Sequence, residues 1–219
     1  MEHQPSPSED AARTRVIGVL GGIASGKSLV ARRLAGPTGL VLDADALAHE
    51  VLHSPEVVRR IVERFGAGVL DAEGKPDRAA LAQRVFDPVD GDRARAELEG
   101  WIHPRVRARI LARLDEARQS GVPRVVLDVP LLLENDAQHG LVALCDALVL
   151  VDSDPAERDR RAQETRAWEP GEVARREAVQ IPLQEKRRRA HVHVTNTGTL
   201  ADLERSIERA ELALERLWS

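Results

Sequence analysis

The segment from Gly21 to Ser28 has the residue types and spacing of a loop that holds phosphate groups. Its sequence, GGIASGKS, fits the pattern G-x-x-x-x-G-K-[ST], in which backbone N–H groups surround a polyphosphate. Lys27 supplies a compact positive charge for the β- and γ-phosphates, and the Ser28 hydroxyl can bind Mg²⁺. Only three of the 32 basic residues are lysines, which favours the interpretation that a point charge is needed at position 27.

The elements on either side of this loop are the ones that such a loop requires. Residues 16–20 form an apolar run typical of a buried strand, and residues 29–35 have helical character and end at Gly36-Pro37. A helix that opens at the loop also turns the positive end of its dipole towards a bound anion. The alternative, a chance glycine turn before a helix, is disfavoured by this strand and helix.

Three acidic residues follow short apolar runs that have the length of buried strands. Asp43 and Asp45 come after residues 39–42, and Asp128 closes the run at 125–127. A carboxylate at the carboxyl end of a parallel strand points into the crevice where α/β proteins bind ligands. Asp43 and Asp45 would share a side if the strand continued, whereas one of them could instead cap the next helix. Asp128 is either a Walker-B-like residue that organises Mg²⁺ through water or a loop carboxylate.

Arginines are concentrated in two helical segments late in the chain, the first of which begins at Asp154-Pro155. The basic residues are Arg158, Arg160, Arg161 and Arg166 in the first segment, and Arg175, Arg176 and Lys186 to Arg189 in the second. Acidic residues are interleaved, so a solvated, salt-bridged surface is the default interpretation for most of them. Phosphoryl transfer, however, uses mobile cations over the transferring group. We therefore expect one or two of these arginines to be functional.

Residues 55–120 show helical periodicity and no strand pattern, which predicts a helical insertion in an α/β core. One helix is expected after Ser54-Pro55 and another from Asp77. A longer helical region is expected to be broken at His103-Pro104. A histidine before a proline is more often structural than catalytic. Strands at 147–152 and 192–195 and a helix after Thr199 complete the α/β pattern.

Composition limits the kinds of partner. The net charge is −4, tyrosine is absent and aromatic residues make up 2%, so neither a large basic field nor a base-stacking platform for nucleic acid is indicated. The lone Cys145 lies in an apolar run, which excludes a disulfide framework. Because no apolar run is long enough to span a bilayer, we expect a cytoplasmic protein without a membrane partner. Residues 1–14 are polar and proline-containing and are expected to form a disordered tail.

The order of these motifs resembles that of the dephospho-CoA kinase family, which catalyses the last step of coenzyme A synthesis. The resemblance covers almost everything after residue 14, and the series of motifs is specific, although many nucleotide enzymes share the loop alone. The matching residues are Gly21 to Ser28, Asp43 to Asp45, Phe65-Gly66, Asp77-Arg78, Leu81, Val85-Phe86, Leu98-Glu99, His103-Pro104, Pro130 to Leu132, Glu134, Gln180, Glu185-Lys186, Asn196 and Gly198.

The resemblance implies an α/β fold, a P-loop NTPase-type three-layer sandwich with a parallel central sheet, a helical substrate-domain insertion and a helical lid. The implied parts are a nucleotide-binding core at 15–51, 124–156 and 191–219, a helical CoA-substrate domain at 52–123 and a lid at 157–190. The implied reaction is ATP-dependent phosphorylation of the ribose 3′-hydroxyl of dephospho-CoA, with Mg²⁺, to give coenzyme A and ADP. We expect a monomer or a weak homo-oligomer.

The same resemblance implies roles for individual residues. Asp45 matches the family's general base, and Lys27, Arg166 and either Arg161 or Arg160 surround the phosphates. Dephospho-CoA is implied to contact Asp45, Arg78, His103 and Leu131. Mg²⁺ is implied at Ser28, with Asp128 as a further ligand through water. The residues implied to bind ATP are Gly21, Gly22, Ala24, Ser25, Gly26, Lys27, Ser28, Leu29 and Asn196.

The chain also departs from the family pattern. Leu20, Ala24 and Leu29 stand where Thr, Gly and Thr are common, which keeps the N–H cradle but removes hydroxyl groups. The spacing from Arg161 to Arg166 is one residue longer than the usual pair. His191 stands where the family usually has Asp.

Two other functions share the phosphate loop. Another small-molecule P-loop kinase would have the loop and the lid but would not need the helical insertion. A nucleotide-dependent regulator is the second alternative. A GTP switch should carry an Asn-Lys-x-Asp guanine reader late in the chain, and the segment from Asn196 to Thr199 does not supply it.

Overall fold

The computed structural model describes residues 13–219, which divide into two compact units. The first unit comprises residues 13–43 and 114–219, and the second comprises residues 44–113. Most of the expected tail at 1–14 lies outside the described residues. Its last two residues are described: Thr14 is buried, and Arg13 Nη2 donates a hydrogen bond to Asp146 Oδ1 at 2.9 Å.

The first unit is built on a five-stranded sheet, with the strand order β2-β3-β1-β4-β5 and every pair parallel. The strands are β1 (Arg15–Gly21), β2 (Leu40–Asp43), β3 (Arg124–Asp128), β4 (Ala147–Asp152) and β5 (Val192–Thr195). The three central strands are buried along almost their whole length, as their nearly continuous apolar runs predict for a parallel sheet that is covered on both faces.

The α-helices of the described residues are numbered in chain order. They are α1 (Lys27–Ala35), α2 (Ala44–Leu52), α3 (Pro55–Phe65), α4 (Arg78–Val85), α5 (Gly91–Gln119), α6 (Asp136–His139), α7 (Pro155–Arg166), α8 (Glu172–Glu177), α9 (Leu183–Arg189) and α10 (Leu200–Trp218). Short 3₁₀ turns occur at Ala67–Val69 and Val142–Leu144. The second arginine-rich segment, expected as one helical stretch, is therefore two helices, α8 and α9.

Helices α1 and α10 cover one face of the sheet. Leu34 of α1 and Leu214 of α10 are fully buried in one apolar cluster with strand residues such as Ile17 and Val149. The helix expected after Thr199 is therefore present, and its apolar face packs in this cluster. On the other face, a Cβ on Gly18 would lie 2.8 Å from side-chain atoms of Leu132 and Leu148, so only glycine fits there without a shift.

The second unit contains α2, α3, α4 and most of α5, and no strand longer than an isolated bridge lies within it. Asp77 caps α4, since its carboxylate accepts the backbone N–H of Ala79 at 2.8 Å. Glu56 of α3 forms an ion pair with Arg105 of α5, which links the two helices. This helical composition agrees with the predicted insertion.

The expected break at His103-Pro104 is wrong, because α5 continues through Pro104. Proline removes one helical hydrogen bond, but buried residues on both sides, including Ala94 and Ile110, hold the helix in place. The adjacent carbonyl of Trp101 accepts a hydrogen bond from Arg105 Nη1 at 2.7 Å. Tertiary packing thus outweighs the local preference of proline.

No helix within residues 13–219 combines the length and the apolar character needed to cross a bilayer.

Candidate active site

The carboxyl ends of the parallel strands meet at one edge of the sheet, and the phosphate loop leaves the central strand there. Strand β1 ends at Gly21, which lies opposite Val151 of β4. Asp43 and Asp128, the last residues of β2 and β3, lie side by side in register. Polar and acidic groups are therefore gathered where α/β proteins place their ligands.

The backbone of the loop takes conformations that favour glycine. Gly26 has φ 94°, and Ala24 has φ 55°, in the left-handed region that non-glycine residues rarely adopt. A Cβ on Gly26 would lie 2.6 Å from Asn196 Nδ2, so a neighbour also requires glycine at this position. The alanine at position 24, where the family commonly has glycine, is accommodated in a strained conformation.

Lys27 is folded back against its own loop. Its Nζ donates hydrogen bonds to the carbonyl oxygens of Gly22 at 2.8 Å and Gly21 at 3.3 Å. Burial lowers the pKa of the Lys27 ammonium from 10.5 to about 8; nearby Asp128 opposes this shift, and Lys186 adds to it. A cation that is partly desolvated and lacks a carboxylate hydrogen-bond partner among the described residues is suited to an anionic ligand.

Ser25 places a second polar group in the phosphate loop. Its side chain is fully buried, and its hydroxyl has no hydrogen-bond partner within residues 13–219. A buried hydroxyl without a partner is costly, and a phosphate oxygen would satisfy it. Together with the N–H cradle and Lys27, this hydroxyl fits a polyphosphate.

Asn196 holds the loop from the end of β5. Its side-chain amide Nδ2 donates to the carbonyl oxygen of Ser25 at 2.8 Å, and its own carbonyl accepts from Ser153 Oγ at 2.8 Å. The residue is 7% exposed. The position implied to bind ATP is thus occupied by a side chain that fixes the phosphate loop.

The arginines of α7 differ in what they contact. Arg161 Nη1 donates to Ser153 Oγ at 3.1 Å and lies 3.5 Å from the carbonyl oxygen of Ala24 in the loop. Arg160 instead forms exposed ion pairs with Glu157 and Glu164. Between the two alternatives, these contacts favour Arg161 as the residue that faces the phosphate loop.

Arg166 lies at the end of α7, and its guanidinium is 5.0 Å from the centre of the Trp168 ring. Arg176 approaches the same ring at 4.2 Å, so the indole lies close to two guanidinium groups. Arg166 is also among the charges that lower the pKa of Lys27. Its positive charge is therefore felt at Lys27.

Two ion pairs near the loop, each with a buried cation and a partly exposed carboxylate, were not predicted from the sequence. The first joins Arg158 of α7 to Glu177 of α8, and the second places Lys186 Nζ 2.7 Å from Glu134 Oε1. Each pair joins residues from separate segments, so no local spacing could have revealed it. Burial of charged residues, visible only in the folded chain, is the signal.

The residues that the resemblance implies for dephospho-CoA binding lie in the second unit, with one exception. Asp45 is exposed in the first turn of α2; because the strand ends at Asp43, the two acids do not share a side of a continuing strand. Arg78 Nη2 lies 2.7 Å from His49 Nδ1, and His103 is exposed on α5. Leu131, in the first unit, is 38% exposed.

Few residues near the phosphate loop could bind a metal ion. Within residues 13–219 there is no cluster of three His, Cys, Asp or Glu residues arranged for a metal. Mg²⁺ at phosphate sites usually needs only one or two protein carboxylates, because water and the phosphates supply the other ligands. Of the two residues that the resemblance implies for Mg²⁺, Ser28 is exposed and Asp128 is buried, and the Asp128 charge raises the pKa of Lys27.

Comparison with known proteins identifies the family. A protein-family model described as Dephospho-CoA kinase matches residues 15–202, which is most of the chain. The chain belongs to the dephospho-CoA kinase family. The resemblance in the sequence is thereby confirmed, and the family is one of enzymes that use ATP.

Curated relatives agree over nearly full length. A dephospho-CoA kinase of Deinococcus radiodurans is 39% identical over 216 residues, covering 98% of this chain and 99% of the relative. That of Symbiobacterium thermophilum is 40% identical over 197 residues, covering 90% of this chain and 80% of the relative.

Solved structures confirm the α/β fold. A Thermus thermophilus protein is 34% identical, with a TM-score of 0.70, and the match covers 92% of this chain and 98% of that one. A dephospho-CoA kinase from Campylobacter jejuni has a TM-score of 0.64 at 23% identity, covers 93% of this chain and 97% of that one, and supports the fold alone. The five-stranded parallel sheet flanked by helices is thus the P-loop kinase architecture.

Proposed function

We propose that this chain transfers the γ-phosphoryl group of ATP to the ribose 3′-hydroxyl of dephospho-CoA, giving coenzyme A and ADP. Membership of the dephospho-CoA kinase family supports the substrates. The observation that carries the chemistry is the loop from Gly21 to Ser28, with a buried, unpartnered Ser25 hydroxyl and a desolvated Lys27. These groups suit a bound polyphosphate.

The loop would bind and orient the phosphates of ATP. Its N–H groups and the dipole of α1 attract negative charge, and Lys27 would exchange the carbonyls of Gly21 and Gly22 for phosphate oxygens. Asn196 keeps the loop in its binding conformation through Ser25. We include Gly26, Ala24 and Leu29 in this site as parts of the loop backbone.

Cations of the lid would stabilise the negative charge that is spread over the transferring group. Arg161 reaches the loop carbonyl of Ala24, and Arg166 influences Lys27. Phosphoryl transfer depends mainly on positioning and on charge stabilisation, so these two guanidinium groups are proposed to contribute directly to the rate.

We assign acceptor binding to the helical unit. Asp45 is proposed to accept the proton of the 3′-hydroxyl, and Arg78 and His103 to bind dephospho-CoA, with Leu131 as an apolar contact. Arg78 is held beside His49, which orients its guanidinium. We keep as proposals the lid at residues 157–190, the core at 15–51, 124–156 and 191–219 and the substrate domain at 52–123; the compact helical unit has somewhat different bounds, residues 44–113.

Ser28 and Asp128 are the residues proposed to hold Mg²⁺, which would neutralise charge on the phosphates. Asp128 would do so through water. We propose a cytoplasmic enzyme that acts as a monomer or weak homo-oligomer. Its proposed small-molecule substrates require neither a nucleic-acid nor a membrane partner.

The test is ADP release from Mg-ATP with dephospho-CoA, adenosine, AMP or gluconate as the acceptor, with the product confirmed by mass. We expect phosphorylation of dephospho-CoA alone. Turnover of another acceptor but not of dephospho-CoA would refute the proposed substrate. The Lys27→Met variant serves as the control for ATP-dependent turnover.

Asp45→Asn tests the proposed base. It should lower kcat sharply while leaving ATP affinity nearly unchanged, because the amide keeps the size of the side chain but cannot accept the proton. Turnover equal to that of the unmodified protein would remove Asp45 from the mechanism.

A further inference from the structure

The phosphate loop is in contact with a carboxylate from the lid. Ile23, the third residue of the loop, donates its backbone N–H to Glu177 Oε1 at 2.6 Å. Glu177 is the last residue of α8. An N–H group of a phosphate-binding loop is thus satisfied by an anion that the chain itself provides.

The same carboxylate oxygen accepts a hydrogen bond from Arg158 Nη1 of α7. Arg158 is 4% exposed, and its Nη1 also lies 3.5 Å from the carbonyl oxygen of Ile23. Its Nε is buried and has no partner in the described part of the chain. The guanidinium therefore keeps an unused donor beside the loop.

Gly22 lets this ion pair lie directly on the loop backbone. A Cβ at position 22 would be 2.3 Å from Arg158 Nη1 and 2.5 Å from Glu177 Oε1. The charge of Glu177 also reaches the phosphate-binding lysine, since it is one of the groups that raise the pKa of Lys27. Any anion bound at Lys27 would therefore be repelled by Glu177.

We propose that Glu177 is an internal substitute for a phosphate oxygen of ATP, which displaces it, and that Arg158, once released, binds the nucleotide. The inference rests on the proposed ATP site. In the ligand-free protein the carboxylate keeps the Ile23 N–H and the buried guanidinium paired. ATP must break these contacts, so Glu177 weakens nucleotide binding while it keeps the loop ordered.

Glu177→Gln separates this role from simple structural support. Glutamine keeps the acceptor oxygen for Ile23 and Arg158 but removes the negative charge. We expect the Kd for Mg-ATP, measured by calorimetry, to fall about tenfold, equivalent to about 1.4 kcal/mol. If the pair only supports the fold, the variant will bind ATP with equal or lower affinity, and that result overturns the proposal.

Glu164→Gln is the matched control, because it removes the same charge from an exposed pair with Arg160 on the same lid. Exposed pairs contribute little, so its Kd should change by less than about twofold. An equal gain in both variants would mean that overall charge is responsible and would overturn the proposal.

Arg158→Gln provides a second arm that does not depend on the folding of the first variant. Its Kd for ATP should rise about tenfold. Unchanged ATP affinity in a folded Arg158→Gln protein overturns the inference. Failure of the unmodified protein to bind ATP would instead refute the proposed function, so the two failures are distinguishable.

Discussion

Lys27 should give ATP binding a pH dependence with a defined direction. In the ligand-free loop, burial lowers the pKa of its ammonium group from 10.5 to about 8. A bound polyphosphate places negative charge beside the ammonium and favours the protonated form, which raises the pKa again. Above pH 8, binding therefore requires uptake of a proton, and ATP affinity falls as the pH rises.

The size of the effect follows from the two pKa values. If bound ATP restores the ordinary value of 10.5, raising the pH from about 7 to about 9.5 should increase Kd roughly 30-fold, or about 2 kcal/mol. Few other side chains titrate in this pH range and obscure the effect of Lys27. The chain has no tyrosine, and burial raises the pKa of the Cys145 thiol to about 12.

Calorimetry of ATP binding across this pH range, in two buffers of different ionisation enthalpy, measures both Kd and the number of protons taken up. Lys27→Met is the control, because it retains every other titrating group, including the terminal amine, and its weaker binding should lack this pH dependence. A constant Kd between about pH 8 and about pH 9.5 in the unmodified protein would refute the reasoning.

Three further predictions concern stability and loop position. Folding releases a proton from Lys27 between pH 8 and 10.5, so the free energy of unfolding should rise by up to about 3 kcal/mol over this range. Urea unfolding should show the rise in the Cys145→Ala variant, because this variant lacks the thiol whose titration opposes the effect. Lys27→Met should abolish the rise. Asn196→Ala should lower the free energy of unfolding by about 1–2 kcal/mol and weaken ATP binding, because the hydrogen bond to Ser25 is lost; unchanged ATP affinity would argue against a positioning role. Asp202→Ala removes part of the capping box of α10, so the free energy of unfolding, measured by thermal unfolding, should fall by about 1 kcal/mol. ATP affinity should not change, and a change in it would contradict a purely structural role for this cap.

The sequence predicted those features that depend on short-range spacing. The phosphate loop before α1 follows from the positions of Gly21, Gly26 and Lys27, and the strands follow from short apolar runs. The cap at Asp154 and the capping box at Thr199 also depend on neighbouring residues alone. These signals were sufficient for the fold and for the family.

One local expectation was wrong because other interactions outweighed it, and one conditional expectation did not apply. Pro104 was expected to end a helix, but buried residues on either side keep α5 continuous. Asp45 was considered as a residue of a continuing strand, yet the strand ends at Asp43 and α2 begins immediately after it. Local propensities are weak compared with the burial of an apolar helix face.

The sequence by itself determined the phosphate-binding loop, the parallel-sheet pattern and the family, because each rests on local spacing or on the order of motifs. Only the tertiary structure decided which charged groups surround the loop. Glu177 and Arg158 belong to different helices, and Asn196 is 171 residues from Ser25 along the chain. Folding brings these groups together and desolvates Lys27, so their electrostatic roles depend on distances that the linear sequence does not contain.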